Sequence, residues 1–351
     1  GGFPERLDWD RVTMNAILPN GARLYVDHAH PEYSSPEVLT PADAVLYDAA
    51  GDALAYESLV ELGNHAQDLP QVKLYKNNTD SKGQSYGAHE NYLISRDVPF
   101  EQVADALLPF FATRAIFTGA GRVGIGTHGE VPGFQISSRA DFFERTIGLE
   151  TTIRRPIVNT RDEPHADASK FRRMHVINGD SNMAEPTTLL KIASTDLVLR
   201  MLEDRFPVTS LDIVSVPAAL RAISHDLTGT ATFETTDGKH YTALSVQRHY
   251  LDAARQYVQQ YGAHHHHVDY ALDLWQRTLD AIESGDYSSI DTEIDWAIKK
   301  KLLDAYIARA RAAGQSADYA SARIRQLDLA YHDIDPERSV FHALVRRGAV
   351  K

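Results

Sequence analysis

Arg23-Leu24-Tyr25-Val26-Asp27, running on into His28-Ala29-His30-Pro31-Glu32, is the stretch from which the rest of this 351-residue chain is best read. Side chains alternate along a strand, so Arg23, Tyr25 and Asp27 share one face while Leu24 and Val26 share the other. A guanidinium, a phenol and a carboxylate side by side make poor core, because a buried charge must be paired or hydrogen-bonded. Two imidazoles and a second carboxylate follow within five residues. Acids, bases and ligand groups at this density fit the floor of an active site; the bland alternative is an edge strand with a solvated polar face.

Composition narrows the class. Hydrophobic residues make up 43% and charged residues 24%, ordinary for a globular protein. A net charge of −12 argues against nonspecific nucleic-acid binding, which needs a basic surface. The chain has no cysteine, which removes disulfides, thiolate nucleophiles and cysteine zinc sites. No apolar stretch reaches the length of a membrane span and Gly1-Gly2-Phe3-Pro4 has no signal-peptide character, so a cytoplasmic enzyme with no membrane or nucleic-acid partner is expected.

Outward from the opening strand, the first half mixes strands, glycine turns and helices. Thr40-Pro41 starts a helix of roughly 25 residues, with the threonine as cap. Val72–Lys76 reads as a strand, Asn77–Gly87 as a polar loop, His89–Ile94 as a strand and Phe100–Phe117 as a helix. Short strand-like pieces follow near Val123 and Phe134, and Arg173–Ile177 is another strand. From about residue 186 the apolar spacing is helical in five segments, 187–206, 217–227, 244–261, 269–283 and 291–313. The four histidines 264–267 fall in that helical region, where adjacent side chains diverge, and read as incidental rather than as a metal site.

Several groups could carry chemistry. The loop from Asn77 to Gly83 offers small residues and Lys82 for a phosphate or substrate, without the order of a P-loop. His89 enters a strand beside a glycine turn. The loop 159–167 contains Arg161, a possible bidentate anion clamp. Arg173, His175 and Ile177 share one strand face, and Arg139 is a further cation at a strand end. Carboxylates, phenol and imidazoles together suit Mg²⁺ with nucleotide, and no HExxH helix supports zinc hydrolysis.

Four long stretches, NGARLYVDHAHPEYSSPE (20–37), KNNTDSKGQSYGAHENYL (76–93), RPIVNTRDEPHADASKFRRMHVINGDSNMAE (155–185) and LDLAYHDIDPERSVFHALVRRG (327–348), resemble the Pup ligase/depupylase family. Pup is a small ubiquitin-like protein tag of actinobacteria. The resemblance implies an α+β fold similar to glutamine synthetase and the carboxylate–amine ligases, a curved antiparallel sheet packed with helices and a helical second half. Residues 1–351 would form most of one large catalytic domain, sheet-rich over 1–185 and helix-rich over 186–351. The family's N-terminal strand with a metal-binding glutamate, its mobile loop and its small C-terminal domain have no counterpart in this sequence. VDHAHPEYSSPE, Ile125–Phe143 and Gly148–Thr152 look most like the depupylase branch.

That branch implies an ATP- and Mg²⁺-dependent amidohydrolase. It would deamidate the C-terminal glutamine of Pup and cleave the isopeptide bond between Pup and substrate lysines. By the same resemblance Asp27 is the catalytic carboxylate, as nucleophile or general base; Tyr25, Glu32, His89 and His175 serve the metal; Arg23, Ser35, Arg139 and Arg161 serve the nucleotide. Pup and pupylated proteins are the expected partners of a monomer, with Arg172, Arg173, Arg205 and Arg221 as candidate contacts for an acidic peptide. The alternatives are a Pup–protein ligase that uses ATP to phosphorylate the terminal glutamate of Pup, and a noncatalytic Pup-binding scaffold.

Overall fold

A computed structural model describes residues 15–27, 30–65, 71–80, 82–149, 155–159 and 162–351. They fall into two compact units, one ending at Lys73 and one running Leu74–Lys351.

In the first unit β1 (Asn15–Ile17), β2 (Arg23–Asp27) and β3 (His30–Ser34) form an antiparallel sheet in the order β1-β2-β3. The long helix α1 (Pro41–His65) follows. Thr40 caps it, its hydroxyl accepting from the Asp43 amide at 3.2 Å and donating to the Asp43 carboxylate at 2.7 Å. A Cβ on Gly51 of α1 would lie 2.4 Å from Cδ1 of Tyr33, so the helix can meet this ring only through a glycine. Tyr33 pairs with Leu24 on the sheet face opposite Tyr25.

The second unit contains β4 (Glu90–Ser95), α2 (Phe100–Thr113), α3 (Ala115–Thr118), β5 (Arg122–Ile125), β6 (Val131–Gln135), β7 (Arg145–Gly148), β8 (Pro156–Asn159) and β9 (Phe171–Val176). After these come α4 (Glu185–Glu203), α5 (Val216–His225), the hairpin β10 (Thr232–Glu234) with β11 (His240–Thr242), and α6 (Ala243–Tyr261). The chain ends through α7 (Val268–Ser284), α8 (Asp295–Ala312), α9 (Ala322–Tyr331) and α10 (Val340–Arg346). Its main sheet has the order β4-β9-β8-β7; β7 and β8 run parallel and the other pairs antiparallel.

The helices pack into one core with the inner face of this sheet. Phe110 lies 5.1 Å from the Tyr250 ring and Phe117 5.5 Å from Trp275, edge-on or tilted as aromatic quadrupoles prefer. The buried Tyr250 hydroxyl donates to the Ala106 carbonyl at 2.6 Å, and the Trp296 indole N–H to Ile116 at 2.8 Å, so neither polar atom is stranded. Below the core face, Glu90 of β4 and Arg114, both almost fully buried, form a bidentate pair at 2.5 and 2.9 Å. Tyr92 donates to the same carboxylate at 2.5 Å and Arg114 donates to Thr195 at 2.6 Å.

Local chemistry explains most boundaries. Ser215 and Thr242 cap α5 and α6, the latter in a reciprocal capping box with Ser245. α4 ends without a glycine: Arg205 takes φ 56°, and Phe206 N–H closes the turn on the Met201 carbonyl at 2.8 Å. Val72–Lys76 does not form a strand. Only Tyr75 makes a bridge, to Asp333, because its partner is a short C-terminal segment and not a sheet. The histidines 264–267 lie in the turn between α6 and α7 and not within a helix, since Gly262 at φ 85° ends α6. Among the described residues no helix is long and apolar enough to cross a membrane.

Candidate active site

On β2 the alternation expected from sequence is what the register produces. Tyr25 stands opposite Asn15 of β1 and Glu32 of β3, Arg23 opposite Ile17 and Ser34, and Asp27 opposite His30. Facing residues of an antiparallel pair share a side, so Arg23, Tyr25, Asp27, His30, Glu32 and Ser34 lie on one face. Arg23 Nε donates to Asn15 Oδ1 at 3.1 Å, and its guanidinium sits 5.0 Å from the Tyr25 ring centroid, a cation–π contact that fixes both. Ser34 Oγ donates to the Tyr25 oxygen at 3.4 Å. Partial burial pushes the Tyr25 phenol above its usual range; the Glu32 and Asp27 carboxylates push the same way, against the Ser34 hydroxyl. Tyr25 therefore stays protonated at neutral pH and donates toward Glu32. Ser35 is exposed, one residue past the end of β3, and it is Ser34 that faces Tyr25.

In the second unit the outer face of the main sheet is polar. β9 turns Arg173 and His175 to it, opposite Leu93 and Asn91 of β4, and Asn159 of β8 flanks His175. His89 stands just before β4. The two imidazoles meet edge-to-face, ring centroids 5.2 Å apart and His175 Nε2 3.3 Å from His89 Nδ1. Arg173 Nη2 lies 3.5 Å from His175 Nδ1. Crowding by the protein, then the charges of Arg139, His175 and Arg155, push His89 down to about 3, although the residue as a whole is exposed.

Arg139 is 1% exposed. Its Nε donates to Ser85 at 3.1 Å, and its Nη1 to the carbonyls of Ile177 and Gly179 at 2.6 and 2.7 Å. Burial, partly offset by Asp180, lowers it to about 10. It is the strut between the loop 77–87 and the segment 177–182. Asn78 completes the join: its Oδ1 accepts from the Ser181 amide at 2.7 Å and its Nδ2 donates to the Ser181 carbonyl at 3.3 Å. Gly87 has no room for a Cβ, which would come within 2.7 Å of Arg139 Cδ and of the Gly179 carbonyl. Two of the stretches that carried the family resemblance are thus tied together across 103 residues. Arg161 lies outside the described residues. Lys82 is exposed, its amide held by Asp80 at 2.8 Å.

Sequence reasoning missed the groups that organise this region from within. Asp180 Oδ2 accepts from the amides of Ala120 and Ser138 at 2.8 and 2.7 Å, and Oδ1 accepts from Ser137 at 3.0 Å. The C-terminal stretch 327–348 is likewise structural. Tyr331 donates to the buried Asp295 at 2.6 Å, and Lys299 Nζ reaches Asp328, His332 and the Gly121 carbonyl, each at 2.8 Å. The only signal for these was polar residues inside long apolar-flanked stretches, which does not separate a buried hydrogen-bonded group from a ligand.

Fit to Mg²⁺ divides the expected metal residues. Glu32, Asp27 and Tyr25 offer hard oxygens on one strand face, and magnesium is commonly held by one or two carboxylates with water and phosphate completing its shell. Among the described residues no group of three or more His, Cys, Asp or Glu is placed to hold a metal ion. The imidazole pair fits a cation poorly. Its inner nitrogens face each other, and guanidinium charge bears on both rings.

Residues 2–351 match the family model described as Pup-ligase protein. This chain belongs to the Pup-ligase family. It is 69% identical to a Pup–protein ligase of Rothia mucilaginosa, over 99% of this chain and 75% of that protein. It is 48% identical to a depupylase of Acidothermus cellulolyticus, over 97% of this chain and 67% of that protein. Among solved structures it resembles the Pup ligase PafA in complex with ADP, with TM-score 0.86 and 41% identity over 96% of this chain and 74% of that one. PafA in complex with Pup gives TM-score 0.88 at the same identity, covering 96% of this chain and 68% of that one. The glutamine synthetase-like α+β fold is thereby established.

These comparisons overturn one expectation. The resemblance of VDHAHPEYSSPE, Ile125–Phe143 and Gly148–Thr152 to the depupylase branch led to a carboxamide hydrolase, but over the whole chain the likeness to a named ligase is far greater, 69% against 48%. Short stretches from a family with two branches carry too little information to choose between them.

Proposed function

We propose that this protein is an ATP-dependent Pup–protein ligase, joining the C-terminal glutamate side chain of Pup to a lysine of an acceptor protein. The observation that carries the reading is the shared face of Tyr25, Asp27 and Glu32 in a chain 69% identical to a Pup–protein ligase. In the first step an oxygen of the glutamate carboxylate attacks the γ-phosphorus of ATP, the bond to the β-phosphate oxygen breaks, and ADP leaves. In the second, the lysine nitrogen attacks the acyl carbon and inorganic phosphate departs with the C–O electron pair.

Lysine is an ammonium ion at neutral pH and cannot attack until it loses a proton. Asp27 is the group proposed to take that proton, and a carboxylate placed beside the ammonium also favours its approach. Tyr25 is held by Arg23 and Glu32 on the same face as Asp27. Magnesium, when bound, neutralises phosphate charge as the γ-phosphoryl group moves; Glu32, with Tyr25 beside it, is its proposed protein anchor. Arg23 and Ser35 are proposed nucleotide contacts, as is Arg161, while Arg139 holds the loop 77–87. Pup and its acceptor proteins are the proposed partners, in the cytoplasm.

Purified protein is incubated with Pup ending in glutamate, Mg–ATP and an acceptor protein, and conjugate and ADP are measured. Equal amounts of ADP and conjugate are expected. Asp27→Asn should keep the fold and nucleotide binding while conjugate formation falls by a factor of about 10³ or more, the scale of losing a group that acts with its neighbours as a unit. Undiminished conjugate in that variant would remove Asp27 from the reaction.

A further inference from the structure

The hydrogen-bond polarity of three residues on the outer sheet face assigns a role to Arg173. Arginine has donors only and does not lose its charge in proteins. Its Nη2, 3.5 Å from His175 Nδ1, therefore requires that nitrogen to carry a lone pair. A neutral imidazole with an unprotonated Nδ1 holds its hydrogen on Nε2. That Nε2–H points at His89 Nδ1, 3.3 Å away, which in turn must be the acceptor. The hydrogen of His89 is then on its outer Nε2. Polarity runs one way, from Arg173 through His175 to His89, and what the chain presents at its far end is an N–H and not a lone pair.

The geometry points to Arg173 as a positioning residue that locks both histidines into the Nε2–H form, so that His89 offers a hydrogen bond to an anionic oxygen and not a ligand to a metal ion. The backbone enforces this arrangement. Arg173 and His175 are two apart on β9 and so on one face, with Asn91 and Asn159 paired on either side of His175. Arg155 and Arg139 add positive charge around His89, which favours an oxygen anion as the occupant. A phosphate oxygen and a carboxylate oxygen share the required chemistry. In its link to catalysis this inference rests on the ligase reading; the tautomer assignment itself does not.

The test is ¹⁵N NMR of this chain, histidine-labelled, at neutral pH. The signals of His89 and His175 among the 16 histidines are identified by their loss in His89→Gln and His175→Gln. Both rings should be neutral with hydrogen on Nε2. Arg173→Met should release His175 into a mixture of tautomers, and Arg173→Lys, which keeps a cationic donor, should hold it. Inorganic phosphate and free glutamate are then added in separate titrations, and the one whose oxygen occupies the site should move the His89 Nε2–H proton.

A wild-type His175 protonated on Nδ1, or charged, would overturn the proposal without recourse to any variant. So would an unchanged tautomer in Arg173→Met, or a His89 proton that neither anion moves. Conjugation supplies the independent arm: Arg173→Met should slow it about tenfold or more, the scale of one lost hydrogen bond to a charged group, with Arg173→Lys recovering most of the rate. If the tautomers behave as described and conjugation is absent even in the wild type, the ligase reading fails and the polarity of the relay stands.

Discussion

Replacing Arg114 by methionine should make the stability of this protein depend on pH in the direction opposite to the wild type. In the intact pair, desolvation of Glu90 favours its neutral form, but the Arg114 charge and hydrogen bonds outweigh it, with smaller help from Lys191 and Tyr92. The folded carboxyl is therefore held below its usual range. Its contribution is present above the unfolded value and is lost as pH falls through the folded value. In Arg114→Met the counter-charge is gone and burial dominates, so the folded value rises above the unfolded one. The contribution is then present at low pH and is lost as pH rises through the folded value.

The size follows from the burial. Both side chains are almost wholly enclosed, at 1% and 3% exposure, so breaking the pair costs about 3–5 kcal/mol while Glu90 stays charged. The limit on the slope is about 1.4 kcal/mol per pH unit for one proton. Urea unfolding at pH 5.5 and pH 8, followed by circular dichroism, should show the deficit of Arg114→Met relative to wild type growing by about 1–3 kcal/mol across that interval. Replacing both partners with methionine should cost less than either single change, because no buried charge is left alone. A deficit that is equal at the two pH values, or smaller at pH 8, would refute the account of this pair.

Three further outcomes are expected. Arg205→Gly should stabilise the protein by about 1 kcal/mol in thermal unfolding, since φ 56° at the end of α4 costs any residue with a Cβ. Gly51→Ala should destabilise by about 1–3 kcal/mol and lower conjugation, because its Cβ would lie 2.4 Å from the Tyr33 ring and push the hairpin that displays Asp27. Asp180→Asn replaces one of two accepting oxygens with an NH₂ group, set either against the amides of Ala120 and Ser138 or against the Ser137 hydroxyl. A loss of about 1–3 kcal/mol in chemical denaturation is the measure of that mismatch.

Much of the local structure was legible in the chain because it is set by neighbours. The two-faced strand Arg23–Asp27, the capped helix after Thr40, the strand through His175 and the five late helices all appear, with ends shifted by a few residues. The short helices Ala322–Tyr331 and Val340–Arg346 and the hairpin at 232–242 were missed, being too brief to show a period. Val72–Lys76 has the composition of a strand and no sheet to join, which only its surroundings could reveal.

The sequence by itself determined which side chains share a face, since alternation along a strand is a property of the backbone, and it determined the family through motifs too long to arise by chance. Tertiary structure decided which charged groups are sealed in as struts and which stand on a sheet face. Arg139 and Arg173 look alike in sequence. One is sealed in the interior with its donors spent on Ser85 and two carbonyls; the other lies beside an imidazole on the outer face of the sheet. The difference is desolvation and the supply of partners, and for Arg139 those partners lie 38 to 54 residues away in the chain.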